Sequence, residues 1–294
     1  MCKTKVLILG AGGMLGAAVF RSFAASDEFE VIATVRDRVA LHLLSAPRAR
    51  FFCLDVLDQD AIVSLLERER PDTVVNCIGL VKQLASASDP LIVLPINAMF
   101  PHRLARLCAL IGARVVHVST DCVFSGARGD YAEDDVTDAC DLYGRSKLLG
   151  ELVDYDNAVT LRTSIIGREL CTAHSLVEWF LAQDGAVNGY AEAVFSGLPT
   201  TELARVIRDI VLPRKDLVGL YHVSSGPISK FDLLHLLARQ YRKQIDIRRD
   251  AELKIDRSLK AEKFREETGY RAPSWPQLVE QLYEADLRRE ARSV

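Results

Sequence analysis

The sequence lacks several features that would assign it to particular classes of protein. No apolar run approaches the roughly 20 residues of a membrane-spanning helix, and no signal-peptide cleavage pattern follows the charged residues near the N-terminus. The 37 basic and 40 acidic residues leave a net charge of −3 without long blocks of one sign, which argues against nucleic acid as a partner. The six histidines are scattered, without the spacing of metal ligands. We therefore expect a soluble protein whose partner is a small molecule.

Cysteine pairs with a functional spacing are also missing. The seven cysteines are odd in number, include no Cys-x-x-Cys pair, and several lie inside apolar runs, as Cys77 does. This usage is typical of buried thiols in the cytosol. The cysteines are at positions 2, 53, 77, 108, 122, 140 and 171. Their usage predicts a cytoplasmic protein.

The first half of the chain alternates short β-branched runs with longer segments of helical periodicity. This order predicts an α/β fold with a doubly wound parallel sheet, because helical crossovers connect parallel strands. The 294 residues are 49% hydrophobic, enough for a core of ordinary size. Strands are predicted at 5–9, 30–35, 50–54, 73–77, 114–119, 159–163 and 220–223, and helices at 14–25, 60–69, 97–111 and 143–153.

The rhythm changes after residue 163, where helical patterns dominate and few strands are indicated. These helices are predicted at 175–183, 202–212, 231–241, 258–268 and 277–287. No linker separates the halves. We expect a sheet domain at 1–166 and a smaller, mostly helical region at 167–294, with a soft boundary and a part near 197–224 that returns to the sheet.

A glycine-rich loop follows the first predicted strand and opens the first predicted helix. It reads Gly10-Ala11-Gly12-Gly13-Met14-Leu15-Gly16, with glycines spaced three apart at 10, 13 and 16. Glycine allows a tight turn and a close approach of backbone N–H groups to a pyrophosphate, and the helix N-terminus adds a positive dipole end. The context predicts a Rossmann-type dinucleotide site at residues 10–16, whereas a P-loop is excluded because Gly-Lys-Ser/Thr is missing. The alternative is a turn without a ligand.

The second strand ends in a basic segment where a dinucleotide ribose is expected. Arg36 suits a 2′-phosphate, which favours NADP(H) over NAD(H), whereas Asp37 would suit a ribose hydroxyl. Asp55, followed by Val56, is placed to contact the adenine amino group. Alternatively, Arg36 is a solvated loop residue and Asp55 begins a helix.

Tyr143 and Lys147 stand four residues apart and share one face of a predicted helix. A lysine ammonium about 4 Å from a phenol favours the phenolate by roughly 4 kcal/mol, before desolvation is subtracted. We therefore expect a lowered tyrosine pKa and a group that exchanges a proton with a carbonyl or alcohol oxygen. An ordinary solvent-facing pair is the alternative.

Two hydroxyl residues, Ser119 and Thr120, end an apolar strand at the edge of the sheet where ligands bind. A hydroxyl at this edge can donate a hydrogen bond to a substrate carbonyl and stabilise developing negative charge. Thr120 is the candidate for this role. The alternative is that it starts a turn with Asp121.

Together these segments resemble the extended short-chain dehydrogenase/reductases, and within them the dTDP-4-dehydrorhamnose reductase branch of nucleotide-sugar enzymes. The resemblance runs along nearly the whole chain. Besides the glycine loop, it rests on Ser119-Thr120-Asp121-Cys122-Val123-Phe124-Ser125-Gly126, Tyr143-Gly144-Arg145-Ser146-Lys147-Leu148-Leu149-Gly150-Glu151, Leu161-Arg162-Thr163-Ser164 and Pro273-Ser274-Trp275-Pro276.

The resemblance implies an NAD(P)-dependent oxidoreductase of polysaccharide biosynthesis. It would reduce the C4 keto group of a nucleotide-linked deoxy sugar, with Thr120, Tyr143 and Lys147 as the catalytic triad. Asn97 would support the site geometry, and residues 167–294 would cover the sugar nucleotide. Further cofactor contacts are expected from Cys77, Ile78, Gly79, Ser119, Thr163 and Ser164, and substrate contacts from Thr120, Cys122, Phe124, Phe195 and Arg257.

Two departures from the branch limit this prediction. Cys122 stands where the branch usually has an aromatic residue. Where the branch usually reads Asp-Gln before Gly-x-Pro-Thr, this chain reads Phe195-Ser196-Gly197-Leu198-Pro199-Thr200. Both weaken an assignment to the rhamnose precursor itself. A nucleotide-sugar epimerase, or a non-catalytic regulatory subunit that keeps the fold, stays an alternative, and the sequence does not decide between a monomer and a homodimer.

Overall fold

Seven parallel strands form the central sheet, in the order β11-β6-β5-β4-β1-β2-β3. The computed structural model describes residues 3–44, 46–81, 88–170, 173 and 175–291. The strands are β1 Thr4–Leu9, β2 Phe29–Val35, β3 Arg50–Cys53, β4 Thr73–Asn76, β5 Arg114–Thr120, β6 Ala158–Thr163, β7 Ile165–Ile166, β8 Ala186–Tyr190, β9 Ala193–Phe195, β10 Leu198–Pro199, β11 Gly219–His222, β12 Ile228–Ser229, β13 Asp246–Asp250 and β14 Ile255–Asp256.

Helices cover both faces of this sheet. They are α1 Met14–Ala24, α2 Val39–Leu43, α3 Gln59–Glu69, α4 Pro90–Val93, α5 Phe100–Leu110, α6 Leu142–Leu149, α7 Leu176–Ala182, α8 Thr200–Val206, α9 Lys230–Gln240, α10 Glu262–Thr268 and α11 Trp275–Glu290. Within the described ranges, no helix is long and apolar enough to cross a membrane.

Both faces of β1 are buried, each against its own apolar core. This explains why successive residues of the strand are apolar. Val6 and Ile8 pack in the core that contains Phe20 of α1, whereas Leu7 and Leu9 pack on the opposite face of the sheet. The strand order reverses between β1 and β4, so their carboxyl ends border a crevice. The predicted α/β, Rossmann-type fold is confirmed.

Helix ends differ from the sequence prediction in the central crossover. The helix expected at 97–111 is the last part of a longer one: α4 continues through a π-helical segment, Leu94–Met99, into α5. The segment contains Pro95, which has no N–H for the α-helical ladder. Such wide turns leave no periodic signal in the sequence.

The C-terminal region has more strands than the helical patterns indicated. A three-stranded sheet, β12-β9-β14, and the pairs β10-β7 and β13-β8 lie beside the helices. These strands have only two to five residues, too few for a readable alternation. The helix expected at 258–268 begins only at Glu262, because Leu259 forms an isolated parallel bridge with Tyr131. Residues 219–222 return to the central sheet as β11, beside β6.

Candidate functional site

The glycine loop turns from β1 into α1 at the carboxyl edge of the sheet. Gly10 has a positive φ of 81°. A Cβ on Gly16 would lie 2.1 Å from the Gly10 carbonyl oxygen, so only glycine allows this packing. Gly13 is the N-cap of α1 and provides no side-chain cap, which leaves the first-turn N–H groups of the helix for an anion. The loop has the geometry of a pyrophosphate cradle.

The residues expected near the adenosine lie at the ends of β2 and β3. Arg36 is exposed and forms no described side-chain contact. One carboxylate oxygen of Asp55 accepts from the N–H of Leu57 at 2.9 Å, so Asp55 stabilises the turn after β3, whereas the N-cap of α3 is Asp58. The Val56 side chain is buried in the core and leaves only its backbone for a cofactor.

Thr120 and Tyr143 are brought together by β5 and α6. Thr120 ends β5, and its hydroxyl donates to the Asp121 carboxylate and accepts from the Cys122 N–H, each at 3.1 Å. Tyr143, in the first turn of α6, lies close enough for Thr120 to lower its pKa. Gly144 makes this approach possible, because a Cβ there would lie 2.2 Å from the Cys122 carbonyl oxygen. The Asp141 side chain caps α6 by accepting from the Gly144 N–H at 2.8 Å. The predicted triad residues therefore lie on two neighbouring elements at the ligand edge.

Lys147 is buried below Tyr143 and donates a hydrogen bond to the Val118 carbonyl oxygen at 2.7 Å. Burial lowers the pKa of Lys147 to about 8, against the opposing effect of the Glu151 carboxylate. A Cβ on Gly79 would lie 3.8 Å from the Lys147 amine. Lys147 thus lies under the segment of residues 77–79, which was expected to pass beneath a cofactor.

The expected lowering of the Tyr143 pKa is wrong for the ligand-free protein. Burial raises the pKa of Tyr143 above its ordinary value, the Cys122 thiol opposes the phenolate, and only the hydrogen bond from Thr120 works in the other direction. Desolvation of the phenolate, which the predicted lowering did not subtract, is the largest effect on this pKa. Tyr143 is therefore a protonated phenol at neutral pH and is suited to donate a proton.

A buried charged network beneath the triad was not predicted. Both carboxylate oxygens of Glu151 accept from Arg162, each at 2.7 Å, and the Ser119 hydroxyl donates to Glu151 at 2.7 Å. Because the Ser119 hydroxyl is bonded to Glu151, Ser119 can contact a cofactor through its backbone rather than through its side chain. Glu151 stands four residues after Lys147. In the helix predicted over 143–153 this spacing puts Glu151 on the face of Lys147, which was the available signal. In the structure α6 ends at Leu149, with Gly150 as its C-cap, and Glu151 follows.

Asn97 connects the cofactor side of the site to α6. Its amide donates to the Leu80 carbonyl and to the Ser146 hydroxyl, both at 3.1 Å, and it accepts from the Leu80 N–H at 2.8 Å. Ser146 in turn donates to the Tyr143 carbonyl at 2.8 Å. This chain holds the segment after β4 at a defined distance from the catalytic helix.

The expected substrate residues divide into two groups. Phe124 is completely buried and stacks on Tyr131, with ring centroids 4.2 Å apart, so its assignment to substrate binding is wrong. Its aromatic ring belongs to a small core. In contrast, Arg257 reaches the reaction side, where its Nη1 lies 3.5 Å from the Cys122 sulfur. Phe195 is mostly buried against Trp275, with centroids 5.4 Å apart.

The remaining cofactor candidates lie close to the triad at the end of β6. Thr163 is buried, and its hydroxyl donates to the Ser164 carbonyl at 3.1 Å. Ser164 lies close enough to Asp121 to oppose the rise in the pKa of that carboxyl. Cys53, Cys77, Cys108, Cys122 and Cys140 are free thiols, whereas Cys2 and Cys171 lie outside the described residues. No group that could hold a metal ion occurs in the described ranges.

Comparison with known proteins agrees with this geometry. The RmlD substrate binding domain family matches residues 4–286. The chain belongs to this family. The predicted membership in the extended short-chain dehydrogenase/reductases, in the dTDP-4-dehydrorhamnose reductase branch, is thereby confirmed.

Two curated relatives show how the RmlD-family chain compares in sequence. It is 31% identical over 165 residues to methionine adenosyltransferase 2 subunit beta of Xenopus laevis, which covers 55% of this chain and 47% of that protein. It is 29% identical over 235 residues to dTDP-4-dehydrorhamnose reductase of Mycolicibacterium smegmatis, which covers 78% of this chain and 66% of that protein. The matched region thus spans about half of the first relative and just under two thirds of the second.

Solved structures share the fold along almost the whole chain. A dTDP-4-dehydrorhamnose reductase of Bacillus anthracis in complex with NADP has a TM-score of 0.80 at 20% identity, covering 97% of this chain and 100% of that one. A dTDP-glucose 4,6-dehydratase of Bacillus anthracis in complex with NAD has a TM-score of 0.79 at 15% identity, with 98% of both chains covered.

Proposed function

We propose that this protein is a cytoplasmic NAD(P)H-dependent reductase of a nucleotide-linked 4-keto-deoxy sugar. The observation that carries the proposal is the placement of Thr120, at the end of β5, beside Tyr143 of α6, with the buried Lys147 one turn further along the same helix. A hydroxyl pair of this kind can bind a carbonyl oxygen and deliver a proton to it. The relative from Mycolicibacterium smegmatis, a named dTDP-4-dehydrorhamnose reductase, supports the substrate class.

The residues of the glycine loop fit a dinucleotide. The uncapped start of α1 and the glycine contact between Gly10 and Gly16 suit a pyrophosphate. Arg36 favours NADPH through the extra phosphate, and the complex of the Bacillus anthracis reductase with NADP is compatible with this preference. The proposed cofactor contacts are Gly10, Gly12, Gly13, Met14, Leu15, Gly16, Arg36, Asp55, the backbone of Val56 and Ser119, Cys77, Ile78, Gly79, Tyr143, Lys147, Thr163 and Ser164.

The chain's own residues would perform the proton chemistry. A bound reduced dinucleotide supplies the hydride. Thr120 donates a hydrogen bond to the substrate oxygen, and Tyr143 gives its phenolic proton to the same oxygen as negative charge develops there. The Lys147 ammonium lowers the cost of the phenolate that remains. Cys122, Phe195 and Arg257 line the side where the sugar would lie.

Replacing the proton donor tests this function. Tyr143→Phe should reduce NADPH oxidation with 4-keto sugar nucleotides by roughly 10²- to 10⁴-fold, the usual contribution of a positioned acid, while cofactor fluorescence titrations stay unchanged. Tyr190→Phe, at a half-exposed tyrosine of β8, is the matched control. Unimpaired turnover in Tyr143→Phe excludes the proposed role, and turnover without net NADPH oxidation identifies an epimerase.

A regulatory subunit is the second candidate, because the relative from Xenopus laevis is named a subunit beta of methionine adenosyltransferase 2. Under this proposal the fold binds a dinucleotide without turning over a sugar. Co-purification with a separate enzyme, together with no NADPH consumption across a panel of keto-sugar nucleotides, would favour it. The hydroxyls of Thr120 and Tyr143, brought together by β5 and α6, favour the reductase.

A further inference from the structure

Arg257 extends from the end of β14 into the site and is held there along its length. Its backbone N–H donates to the Val194 carbonyl at 3.1 Å. The stem passes over Gly126, where a Cβ would lie 3.0 Å from the Arg257 Cγ, and Nε donates to the Phe124 carbonyl at 2.9 Å. These contacts fix the position of the guanidinium, which is half-buried.

This fixed guanidinium lies beside the reacting hydroxyls. Its Nη1 is 3.5 Å from the Cys122 sulfur. The N–H of Cys122 donates to the Thr120 hydroxyl at 3.1 Å, and the Cys122 carbonyl packs against Gly144, the residue after Tyr143 in α6. A group bound by Arg257 would therefore lie close to the carbonyl that Thr120 and Tyr143 bind.

The positive charge of Arg257 is only partly balanced by the protein. It has no carboxylate within ion-pair distance in the described part of the chain. Asp121 and Asp138 are the acidic groups whose pKa it influences. Asp138 accepts from the Ser125 hydroxyl and N–H, and Asp121 accepts from the Thr120 hydroxyl, so the hydrogen bonds described for both carboxylates go to groups other than the guanidinium. A guanidinium has five N–H donors suited to a carboxylate.

On the basis of the proposed sugar-nucleotide function, we propose that Arg257 binds a carboxylate carried by the sugar itself, next to the reacting carbon. Cys122 contributes by its size, since its small side chain leaves room for the guanidinium beside Thr120. The substrate is then an acidic member of the proposed class of nucleotide-linked 4-keto-deoxy sugars.

Binding measurements test this without requiring turnover. The probes are UDP-glucuronate against UDP-glucose and UDP-galacturonate against UDP-galactose, since each pair differs only by a carboxylate in place of a CH₂OH group. Affinities are measured by calorimetry on the full-length protein with NADP⁺ present. The protein should prefer an acidic sugar by roughly ten- to hundredfold, as a charge-assisted hydrogen bond provides.

Variants assign that preference to the arginine. Arg257→Met should abolish it while binding of UDP alone is unchanged, and Arg257→Lys should restore part of it. Arg248→Met on exposed β13 is the control and should behave as the unaltered protein, and thermal unfolding of each variant checks the fold.

Two results would overturn the proposal. One is equal affinity for acidic and neutral sugars in the unaltered protein. The other is an equal loss of UDP and UDP-glucuronate binding in Arg257→Met, which would assign the arginine to the diphosphate. Neither result depends on the activity of Tyr143→Phe, so both can occur while the reductase proposal holds. Conversely, a preference for acidic sugars can be measured even if the protein turns over no sugar nucleotide.

Discussion

Glu151 and Arg162 form a bidentate ion pair in which both side chains are only 4% exposed. The pair joins the end of α6 to β6 and lies one helical turn from Lys147. Arg162 also lies over the Phe124 ring, 5.4 Å from its centroid. The charge of Glu151 thus stabilises two cations, the Arg162 guanidinium and the Lys147 ammonium.

Removal of this carboxylate should change both stability and pH dependence. Glu151→Gln leaves the buried Arg162 charge unpaired, which typically costs about 3–5 kcal/mol of unfolding free energy. It also removes the charge that raises the Lys147 pKa, so the alkaline decline in activity should move to lower pH. Urea unfolding and pH-rate profiles measure the two effects.

The exposed pair between Arg248 and Asp246 is the control for that experiment. Asp246→Asn should change the unfolding free energy by no more than about 1 kcal/mol, because exposed ion pairs contribute little. Equal effects of the two substitutions would show that Glu151 does not have the proposed electrostatic role.

The reductive rate should decline as the pH rises above about 8. The pKa of Lys147 is lowered to about 8, so the ammonium that stabilises the Tyr143 phenolate is lost above that pH. The Tyr143 pKa is raised above its ordinary value, so its proton is retained over the same range. Measuring kcat/KM from pH 6 to 10 checks this, and a rate that rises through pH 8 is incompatible with the proposed roles.

Gly144 should be essential for the geometry of the site. A Cβ there would lie 2.2 Å from the Cys122 carbonyl oxygen, so Gly144→Ala must displace α6 from the end of β5. A displacement of about 1 Å typically costs about 100-fold in rate. Gly226→Ala, with no atom within 4 Å of the added Cβ, should keep full activity. Full activity in Gly144→Ala would mean that the helix position is not critical.

Arg36 should determine the preference between the two dinucleotides. Arg36→Ala is expected to raise the KM for NADPH roughly tenfold, the equivalent of one weak charge-assisted contact, and to leave the KM for NADH unchanged. The neighbouring Arg38→Ala is the control, since both side chains are exposed. Parallel loss for both cofactors would assign Arg36 a structural role.

Local sequence patterns were sufficient for much of the fold and the site. The parallel α/β sheet follows from alternating apolar runs and helical segments, and Tyr143 and Lys147 share a helix face because of their spacing. Phe124 shows the limit of this approach: an aromatic residue in a ligand-binding motif lies in a core because Tyr131 stacks on it. A side chain's burial depends on partners that are distant in sequence.

The amino-acid sequence by itself determined the α/β class and the glycine turn and predicts the reacting hydroxyls, because each depends on periodicity or on neighbours within one element. Only the tertiary structure decided the electrostatics. Burial raises the Tyr143 pKa and lowers that of Lys147, and Glu151 meets Arg162 across two elements. Desolvation and long-range ion pairs arise only once the chain is packed, and therefore leave no local signature.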